Sequence, residues 1–410
     1  MKKWIFSVVG ISCSILLFSF LQGNSEVEKT TNKPRKVVVK QREEYSEPRF
    51  VNLVKSDFRF QYELFKKSKV IDGRYVYNDG IYEVTFTVNP LFQQRIKREF
   101  KRFKLKYASF VAIEPKTGKV LAAVSGIDYP NLLFKTNFPT ASTFKIVTAA
   151  AALDSGLANP KTELVCGGVG DSCSPYVWLN SKLQIRRRFS DSFATSANPF
   201  FGNLGRLIGK DRLLKYAELF GFNRKDYNFP WGRIDEPKGD YEIALTAAGL
   251  GRTTTSPFHE ALISQVILNG GVMMKPYIVE SIKDLRTGKF YKFTPTPIQR
   301  VISKKTAKEI EDMMRLTTKI GPVSGRRYFR VSRRYRGLEI GGKTGTLSEL
   351  SYPEGRCEWF TGFIKYGNQQ MAVSSVAVNG KLYYLSGYEI TALAGVDFAK
   401  LNLKFAREGR

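Results

Sequence analysis

An uncharged apolar run followed by a charged segment opens the chain. Residues 4–21 carry no charged side chain, and Lys2 and Lys3 precede them. A run of this length is sufficient for a membrane-spanning helix. Basic residues before it indicate that residue 1 faces the cytoplasm. We therefore predict a cytoplasmic tip and an uncleaved single transmembrane anchor in residues 1–23, with the remainder of the chain outside the cytoplasm.

Two segments of different patterning separate this anchor from the main domain. Residues 24–50 are charged and contain Pro34 and Pro48, which is typical of an extended stalk. Residues 51–85 alternate between apolar and polar side chains in places, as β-strands do. We predict a small strand-rich platform in residues 51–85 and a single domain in residues 86–410.

From residue 86 onward, segments with the period of a strand alternate with segments of helical period. Apolar residues at helical spacing predict helices, and short apolar runs bounded by turn residues predict hairpins and strands. Helices are predicted at 89–106, 240–270, 304–318 and 388–405, hairpins at 107–125 and 277–293, and closing strands at 338–346, 358–366 and 370–378. Strands early and late, with helices between them, favour an α+β fold around an antiparallel sheet.

The composition indicates a chain that can form a sizeable core and that carries a strong positive charge. The chain has 410 residues, of which 43% are hydrophobic, and a net charge of +28. Such a surplus of cations indicates an anionic partner. The basic residues are spread along the chain without a zinc-finger, RNP-type or recognition-helix signature, so nucleic acid is not expected. Anionic lipid or an anionic wall polymer fits better, and a general solubility surplus is the alternative.

Two cysteines bracket a glycine-rich loop. Cys166 and Cys173 flank the sequence Gly-Gly-Val-Gly-Asp-Ser. In an exported domain this spacing predicts a small disulfide, with two free thiols as the alternative. Two cysteines without partner histidines make a poor metal site, so we expect neither a metal nor a cofactor.

The tetrad Ser-Thr-Phe-Lys at 142–145 precedes an apolar helical run. Residues three apart lie on one face of a helix, which places Lys145 beside Ser142. A serine beside a lysine suggests a nucleophile with its own base. The chain has one histidine, His259, so lysine is the expected base if the protein is a serine enzyme.

Two further motifs follow in a fixed order. Ser-Ala-Asn stands at 196–198, and Lys-Thr-Gly-Thr at 343–346 follows two glycines and runs into a strand. With the tetrad they make up the set of the penicillin-recognising serine enzymes. The chain resembles the transpeptidase domain of penicillin-binding proteins over about residues 85–405. A second Lys-Thr-Gly, at 116–118, lies at a predicted hairpin tip and is interpreted as a turn.

The resemblance implies a fold and an activity. The fold expected is α+β, with an antiparallel five-stranded sheet flanked by helices, an all-helical subdomain and the N-terminal membrane anchor. The activity is that of a D,D-transpeptidase, which links peptidoglycan stem peptides through an acyl-enzyme and is acylated by β-lactams. Further partners are the membrane, through residues 4–21, and other wall-synthesis proteins. The enzyme would sit in the bacterial cytoplasmic membrane with its catalytic domain outside the cytoplasm.

The resemblance also implies a role for each motif residue. Ser142 is the nucleophile, Lys145 accepts its proton, Ser196 passes a proton toward the leaving amine, and Asn198 binds the substrate amide. Lys343 and Thr344 hold the terminal carboxylate. Gly345 and Thr346 complete the substrate-binding strand, and the backbone N–H groups of Ser142 and Thr346 form the oxyanion hole.

Two other functions share parts of this pattern. A class D β-lactamase also carries Ser-Thr-Phe-Lys, but the Ser-Ala-Asn motif at 196–198 and the predicted anchor argue against it. A β-lactam sensor would need more membrane spans, and a catalytically inactive scaffold should lack motif residues. The acceptor of the acyl group stays open, so carboxypeptidase and endopeptidase activities remain alternatives.

Overall fold

The computed structural model describes residues 47–126, 129–168, 174–180, 184–351, 353–380 and 384–408. The predicted anchor and nearly all of the predicted stalk lie outside these ranges. Within them, no helix is both long and apolar enough to cross a bilayer.

Helices account for much of the described chain. In order they are α1 (Arg49–Ser56), α2 (Phe58–Lys66), α3 (Pro90–Arg102), α4 (Lys145–Asp154), α5 (Pro175–Asn180), α6 (Phe189–Thr195), α7 (Asn198–Ile208), α8 (Lys210–Leu219), α9 (Gly239–Ala248), α10 (Pro257–Leu268), α11 (Lys304–Ile320), α12 (Arg327–Ser332) and α13 (Gly387–Glu408). Short 3₁₀ turns lie at Leu132–Phe134, Ala141–Phe144 and Asp226–Asn228.

The strands fall into several antiparallel sheets. They are β1 (Lys69–Ile71), β2 (Arg74–Asn78), β3 (Tyr82–Phe86), β4 (Ala108–Ile113), β5 (Val120–Ser125), β6 (Phe138–Pro139), β7 (Glu163–Gly167), β8 (Gln184–Arg188), β9 (Arg233–Ile234), β10 (Thr253–Thr255), β11 (Val272–Met274), β12 (Val279–Asp284), β13 (Phe290–Lys292), β14 (Pro297–Arg300), β15 (Leu338–Ser351), β16 (Glu354–Tyr366) and β17 (Gln369–Asn379).

The main sheet has five antiparallel strands in the order β15-β16-β17-β4-β5, as predicted. Both faces are covered by helices. Phe110 and Ala112 of β4 belong to a core with α3 and α13, whereas Val111 and Ile113 belong to a core with α4 and α10. Because both faces are buried, β4 consists only of buried residues, and its sequence is a continuous apolar run instead of an alternating one.

Side-chain caps fix where several helices start. Asn89 Oδ1 accepts a hydrogen bond from Phe92 N at 3.0 Å, with Pro90 as the first residue of α3. Ser256 Oγ accepts one from His259 N at 3.1 Å and caps α10. These caps satisfy N–H groups that have no partner inside the helix, and they define the ends of the helices on either side of the main sheet.

The predicted platform contains helices as well as strands. Strands β1–β3 agree with the strand prediction, but residues 49–66 form α1 and α2. Their buried side chains Val51, Val54, Phe58, Tyr62 and Phe65 recur at intervals of three and four residues, which is the period of a helix. Apolar and polar residues alternate elsewhere in residues 51–85, and this alternation led to the prediction of strands for the whole segment.

The platform strands also join a sheet with a later part of the chain. Strand β3 pairs with β12, giving the order β1-β2-β3-β12-β13. Buried Gln61 of α2 strengthens this link, since its Oε1 accepts a hydrogen bond from Ile278 N at 2.9 Å. The residues from Glu47 onward accordingly group into one compact unit.

Short β-ladders interrupt the region predicted as an all-helical subdomain. Helices α4 to α9 are accompanied by the pair β7-β8 and by the three-stranded sheet β6-β10-β9. The sheet is formed by strands of two or three residues, too short to give an alternating pattern in the sequence. The subdomain is therefore mainly helical, and one of its short strands, β10, leads into α10.

A strongly basic surface is formed by α3 and α12. Phe103, just after α3, makes an edge contact with Tyr328 of α12, with ring centroids 6.2 Å apart. Both segments carry exposed cations, namely Lys97, Arg98, Lys101, Arg102, Arg327, Arg330, Arg333 and Arg334. The guanidinium groups of Arg102 and Arg327 lie 5.1 Å and 5.9 Å from the ring centres of Phe103 and Tyr328. We call this set the α3–α12 basic surface. Part of the net charge of the chain is thus concentrated in one place.

Candidate active site

The predicted nucleophile lies in a tight turn that leads directly into α4. Residues Ala141–Phe144 form a 3₁₀ turn, and the α-helix begins at Lys145. Ala141 has a positive φ of 50°, which is unfavourable for a residue with a side chain. This strained residue immediately precedes Ser142, which is partly exposed. The turn therefore presents the serine hydroxyl at the surface of an otherwise buried helix.

The amine of Lys145 is the centre of a cluster of oxygen atoms. Lys145 Nζ lies 2.9 Å from Ser142 Oγ, 3.0 Å from Ser196 Oγ, 2.8 Å from the Ser196 carbonyl oxygen and 2.6 Å from Asn198 Oδ1. Lys145 is completely buried, and its amine lies 5.4 Å from the centre of the Phe201 ring. The structure thus brings two of the predicted motifs together around one amine.

A left-handed residue directs the second motif toward this amine. Ser196 ends α6 with φ 64° and ψ 34°, and α7 begins at Asn198. Only Ser196 and Ala197 separate the two helices. Because the chain reverses so sharply, the side chain and the backbone carbonyl of Ser196 both reach Lys145. Such a conformation is unfavourable by about 1–2 kcal/mol for a residue with a Cβ atom, and here it is held by the cluster.

The number of hydrogens on Lys145 shows what the cluster can do. A charged amine has three hydrogens to donate, whereas a neutral amine has two hydrogens and one lone pair. The neutral form can donate to Asn198 Oδ1 and the Ser196 carbonyl while accepting the proton of Ser142 Oγ. Ser196 Oγ, 3.0 Å from the same nitrogen, can then receive that proton. The geometry is that of a base shared by two hydroxyl groups.

The third motif lies on β15, at the edge of the main sheet. Lys343 is completely buried, and its Nζ donates a hydrogen bond to the Thr344 carbonyl at 3.0 Å. Burial lowers the pKa of Lys343 to about 7, because the charged amine loses its hydration in the protein interior. Thr346 is exposed three residues further along the strand. A peptide could pair with this edge as an added strand.

Strand β15 packs at Gly345 directly on the 3₁₀ turn Ala141–Phe144, which we call the nucleophile turn. A Cβ atom at Gly345 would lie 3.1 Å from both the Thr140 carbonyl oxygen and Thr143 Cγ2. Because glycine has no Cβ, the strand can approach the turn at this distance. The third motif therefore adjoins the first at Gly345, and Lys145 joins the first motif to the second.

Gly249 supports the nucleophile turn from the other side. It ends α9 with φ 81°, and a Cβ atom there would lie 2.0 Å from the Ala141 carbonyl oxygen. The contact between Gly249 and this turn was not predicted from the sequence. Only the folded structure brings residues 141 and 249 together.

Glu260 is a second residue near the site that belongs to none of the three motifs. Its carboxyl group is almost completely buried and lies between Thr143 of the nucleophile turn and Thr361 of β16. Burial raises the pKa of Glu260 to about 7. The signal in the sequence is an acidic residue inside the apolar segment 257–268, since a carboxyl in such a segment needs buried partners.

His259, Trp359 and Lys116 lie outside the reactive cluster. His259 is completely buried, where its Nδ1 accepts from Gly232 N and its Nε2 lies 2.9 Å from the Phe220 carbonyl. Burial lowers the pKa of His259 to about 4. Trp359 is a core residue, and Lys116 is exposed at the tip of the β4–β5 hairpin.

The predicted disulfide falls partly outside the described residues. Cys166 is buried and has no disulfide partner in the part of the chain that the structure describes, and Cys173 lies outside that part. The bond between them therefore stays a prediction. The described residues also contain no cluster of acidic, histidine or cysteine side chains that could hold a metal ion.

The scaffold and the cluster define the class of protein. A serine hydroxyl, a buried lysine amine and a second serine on a mixed helix and sheet scaffold are the components of a serine enzyme with lysine as its base. Residues 108–394 match the family model described as the penicillin binding protein transpeptidase domain. The chain belongs to this family, which confirms the resemblance drawn from the three motifs.

Curated relatives extend this result. The chain is 26% identical over 326 residues to the peptidoglycan D,D-transpeptidase PbpA of Mycolicibacterium smegmatis, covering 66% of this chain and 62% of that protein. It is 29% identical over 304 residues to the stage V sporulation protein D of Bacillus subtilis, covering 66% of this chain and 45% of that protein. The chain thus spans less than two thirds of the length of either relative.

Solved structures support the fold. The D,D-transpeptidase domain of a peptidoglycan glycosyltransferase from Eggerthella lenta superposes with a TM-score of 0.63 at 23% identity, covering 78% of this chain and 83% of that one. Penicillin-binding protein A from M. tuberculosis, solved as an imipenem acyl-enzyme complex, gives a TM-score of 0.62 at 22% identity, with coverages of 77% and 79%.

Proposed function

We propose that the protein is a serine D,D-transpeptidase that links peptidoglycan stem peptides and is acylated by β-lactams. The observation that carries this proposal is the position of Lys145 Nζ, which lies within 3.0 Å of both serine hydroxyls of the site. The curated relative PbpA, named as a peptidoglycan D,D-transpeptidase, supports the choice of substrate. We propose that the reaction proceeds in two steps.

In the first step, Ser142 Oγ attacks the carbonyl carbon between the two terminal D-alanines of a donor peptide. The Oγ–C bond forms as the proton of Ser142 passes to neutral Lys145 Nζ. The negative oxygen of the intermediate is stabilised by the backbone N–H groups of Ser142 and Thr346. The proton then passes through Ser196 Oγ to the leaving amine, the C–N bond breaks, and D-alanine departs.

In the second step, an amine of another stem peptide attacks the ester carbonyl of acylated Ser142. Lys145 and Ser196 accept the proton of this amine and return one to Ser142 Oγ as the ester bond breaks. The product is a new amide bond between two peptides. Water in place of the amine would give a carboxypeptidase or endopeptidase with the same residues.

Recognition of the donor depends on β15 and Asn198. Lys343 and Thr344 bind the terminal carboxylate, the backbone from Gly345 to Thr346 pairs with the peptide, and Asn198 binds its amide. Charged hydrogen bonds of this kind contribute about 1.5–3 kcal/mol each. We further propose that residues 1–23 anchor the enzyme in the cytoplasmic membrane, with residues 86–410 acting outside the cytoplasm on the wall.

Labelling with a fluorescent penicillin tests the nucleophile. Wild-type protein should become labelled and keep the label, whereas Ser142→Ala should not react. Persistent labelling of Ser142→Ala would exclude Ser142 as the nucleophile. Rapid loss of label from wild type would indicate a β-lactamase, and absence of labelling would indicate a non-catalytic scaffold.

Product analysis tests the acceptor. A synthetic stem peptide ending in D-Ala-D-Ala is incubated with the enzyme, with and without a second peptide that carries a free amine. A cross-linked product that requires the second peptide supports transpeptidation. Release of D-alanine with only hydrolysed donor in both reactions would assign carboxypeptidase activity instead.

A further inference from the structure

The buried carboxyl of Glu260 lies between the nucleophile turn and the main sheet. Thr361 Oγ1 of β16 donates to Glu260 Oε2 at 2.5 Å, and Thr143 Oγ1 of the nucleophile turn lies 3.1 Å from Glu260 Oε1. Thr143 is the residue after Ser142, and Thr361 pairs with Lys343 in the ladder between β15 and β16. The carboxyl group of Glu260 therefore contacts Thr143 of the first motif and Thr361, which is the strand partner of Lys343 in the third motif.

The position of Glu260 is fixed by the way α10 is attached to the sheet. Glu260 belongs to the first turn of α10, and Ser374 Oγ of β17 donates to the Pro257 carbonyl of this helix at 2.5 Å. Both residues are completely or almost completely buried. The start of α10 is thus held on the sheet, which keeps the carboxyl of Glu260 beside the nucleophile turn.

A count of hydrogens shows how a protonated Glu260 can donate to Thr143. Thr143 Oγ1 lies 2.6 Å from the Thr140 carbonyl oxygen, which can only accept, and 3.1 Å from Glu260 Oε1. A hydroxyl group has one hydrogen to donate. If that hydrogen serves the shorter contact, the contact between two oxygen atoms at 3.1 Å requires a hydrogen on Glu260. Burial, which raises the pKa of Glu260 to about 7, favours the same protonated form.

No charged side chain is hydrogen-bonded to this carboxyl among the described residues. The groups that face it are the hydroxyls of Thr143, Thr255 and Thr361. The titratable residues within two positions of Glu260 or of Thr143, or paired with Thr361 across the ladder, are His259, Lys145 and Lys343. His259 has both ring nitrogens occupied elsewhere, with Gly232 and Phe220. Loss of the proton would therefore leave a buried charge without a counterion, which is strongly unfavourable.

We propose that Glu260 is a positioning residue, whose protonated carboxyl donates a hydrogen bond to Thr143 Oγ1 and so holds the nucleophile turn in its reactive conformation. The proposal rests on the proposed function. When Glu260 loses its proton, the hydroxyl of Thr143 must turn toward the carboxylate and release the Thr140 carbonyl. The turn that carries Ser142 then loses one of its internal hydrogen bonds, and acylation slows.

The test measures the acylation rate constant at saturating fluorescent penicillin between pH 5 and 9. At saturating penicillin the rate constant does not depend on how tightly the penicillin carboxylate is bound. In wild type the acylation rate constant should show a decrease centred near pH 7, where Glu260 loses its proton. We call this decrease the pH-dependent component. Glu260→Gln keeps a donor and an acceptor in place, so it should retain the acylation rate and lack this component. Glu260→Leu has neither, and the rate should fall by about 10- to 100-fold.

Two controls separate positioning from folding. Glu99→Gln removes another carboxyl whose pKa is raised by burial, remote from the nucleophile turn on α3, and it should leave the acylation profile unchanged. In a Thr143→Val background, Glu260→Leu should cause little further loss, because the two residues act through one hydrogen bond. Melting temperatures of all variants monitor the fold.

The outcomes distinguish this proposal from the proposed function. Wild type that is never labelled overturns both. Labelled wild type overturns the positioning role alone if Glu260→Leu acylates as fast as Glu260→Gln, or if Glu260→Gln keeps the pH-dependent component. A loss in Glu260→Leu that is additive with Thr143→Val would also contradict it. Retained rate with a flattened profile in Glu260→Gln supports it.

Discussion

At the scale of single residues, the site contains two buried lysines in different surroundings. Lys145 is surrounded by four oxygen atoms within 3.0 Å. Lys343 has the Thr344 carbonyl as its one hydrogen-bond acceptor in the described part of the chain. A base needs a partner from which it takes a proton, whereas a residue that binds a carboxylate must keep donors available. The two environments match the two roles proposed for these lysines.

Removal of the base should abolish most acylation while preserving the fold. Lys145→Met replaces the apolar stem of the side chain but removes the amine, and a positioned general base contributes about 100- to 10,000-fold. We expect a loss of this size in the acylation rate with fluorescent penicillin. Lys116→Met, at the hairpin tip, should react like wild type. Normal acylation of Lys145→Met would contradict the assignment of the base.

Binding of the donor peptide should depend on pH through Lys343. The pKa of this residue is lowered to about 7, so its charge is present below pH 7 and is lost as the pH rises through that value. The KM for a peptide with a free terminal carboxylate should therefore rise above pH 7. In Lys343→Met the KM should be raised by roughly 10- to 100-fold at pH 6 and should vary little with pH.

A peptide with an amidated terminus provides the control for this prediction. It lacks the carboxylate, so its KM should be similar in wild type and Lys343→Met. A pH dependence that persists in Lys343→Met would assign the titration to another group.

The motif residues could be predicted from the sequence because each motif is local. Ser142 and Lys145 lie on the same helical face, and Ser196 and Asn198 belong to one turn. Thr143, Gly249 and Glu260 could not be assigned in this way, since their importance depends on contacts between residues more than 100 positions apart. Short-range patterns carry no information about such contacts.

At the scale of elements, the site lies where the ends of helices meet the edge of a sheet. Helix α4 starts at the nucleophile turn, α7 starts at Asn198, and α9 ends at Gly249 behind the turn. Strand β15 closes the site through Gly345. The predicted five-stranded sheet was correct because its strands are long, whereas the two- and three-residue strands beside the helices were missed.

The two glycines that bound α9 offer a matched test of this arrangement. Gly249 and Gly239 both have positive φ, but only at Gly249 would a Cβ atom clash, 2.0 Å from the Ala141 carbonyl oxygen. Gly239→Ala should destabilise the protein by about 1–2 kcal/mol through backbone strain alone. Gly249→Ala should destabilise it more and should also slow acylation by displacing the nucleophile turn.

Urea unfolding and penicillin acylation, measured on both variants, check this prediction. Equal destabilisation by the two substitutions, with no effect on acylation, would show that the contact between α9 and the turn is unimportant.

At the scale of the whole molecule, the platform and the main domain share a core. Phe58 and Tyr62 of α2 pack in the same cluster as Phe258 of α10, and β3 pairs with β12. The boundary predicted at residue 85 was based on a change of local pattern. Pairing between strands distant in sequence does not alter that pattern, so it could not be predicted.

Gln61 should therefore affect the stability of the whole molecule. Gln61→Leu removes the acceptor of Ile278 N and leaves this buried N–H unpaired, which destabilises by about 1–3 kcal/mol. We expect one urea transition shifted to a lower midpoint, with acylation in the absence of urea unchanged. Gln94→Leu, exposed on α3, should shift the midpoint little. Two separate transitions in either variant would contradict a shared core.

The α3–α12 basic surface has a consequence for how the enzyme responds to its ionic surroundings. Cations crowded on one face hold a layer of small anions beside them. A polyanion that docks there displaces these ions, and their release favours binding, so affinity falls steeply as salt concentration rises. At physiological ionic strength the screening distance is about 8 Å. If this surface binds an anionic polymer, the time that the protein spends beside the polymer depends on the salt concentration as well as on the chemistry proposed for Ser142.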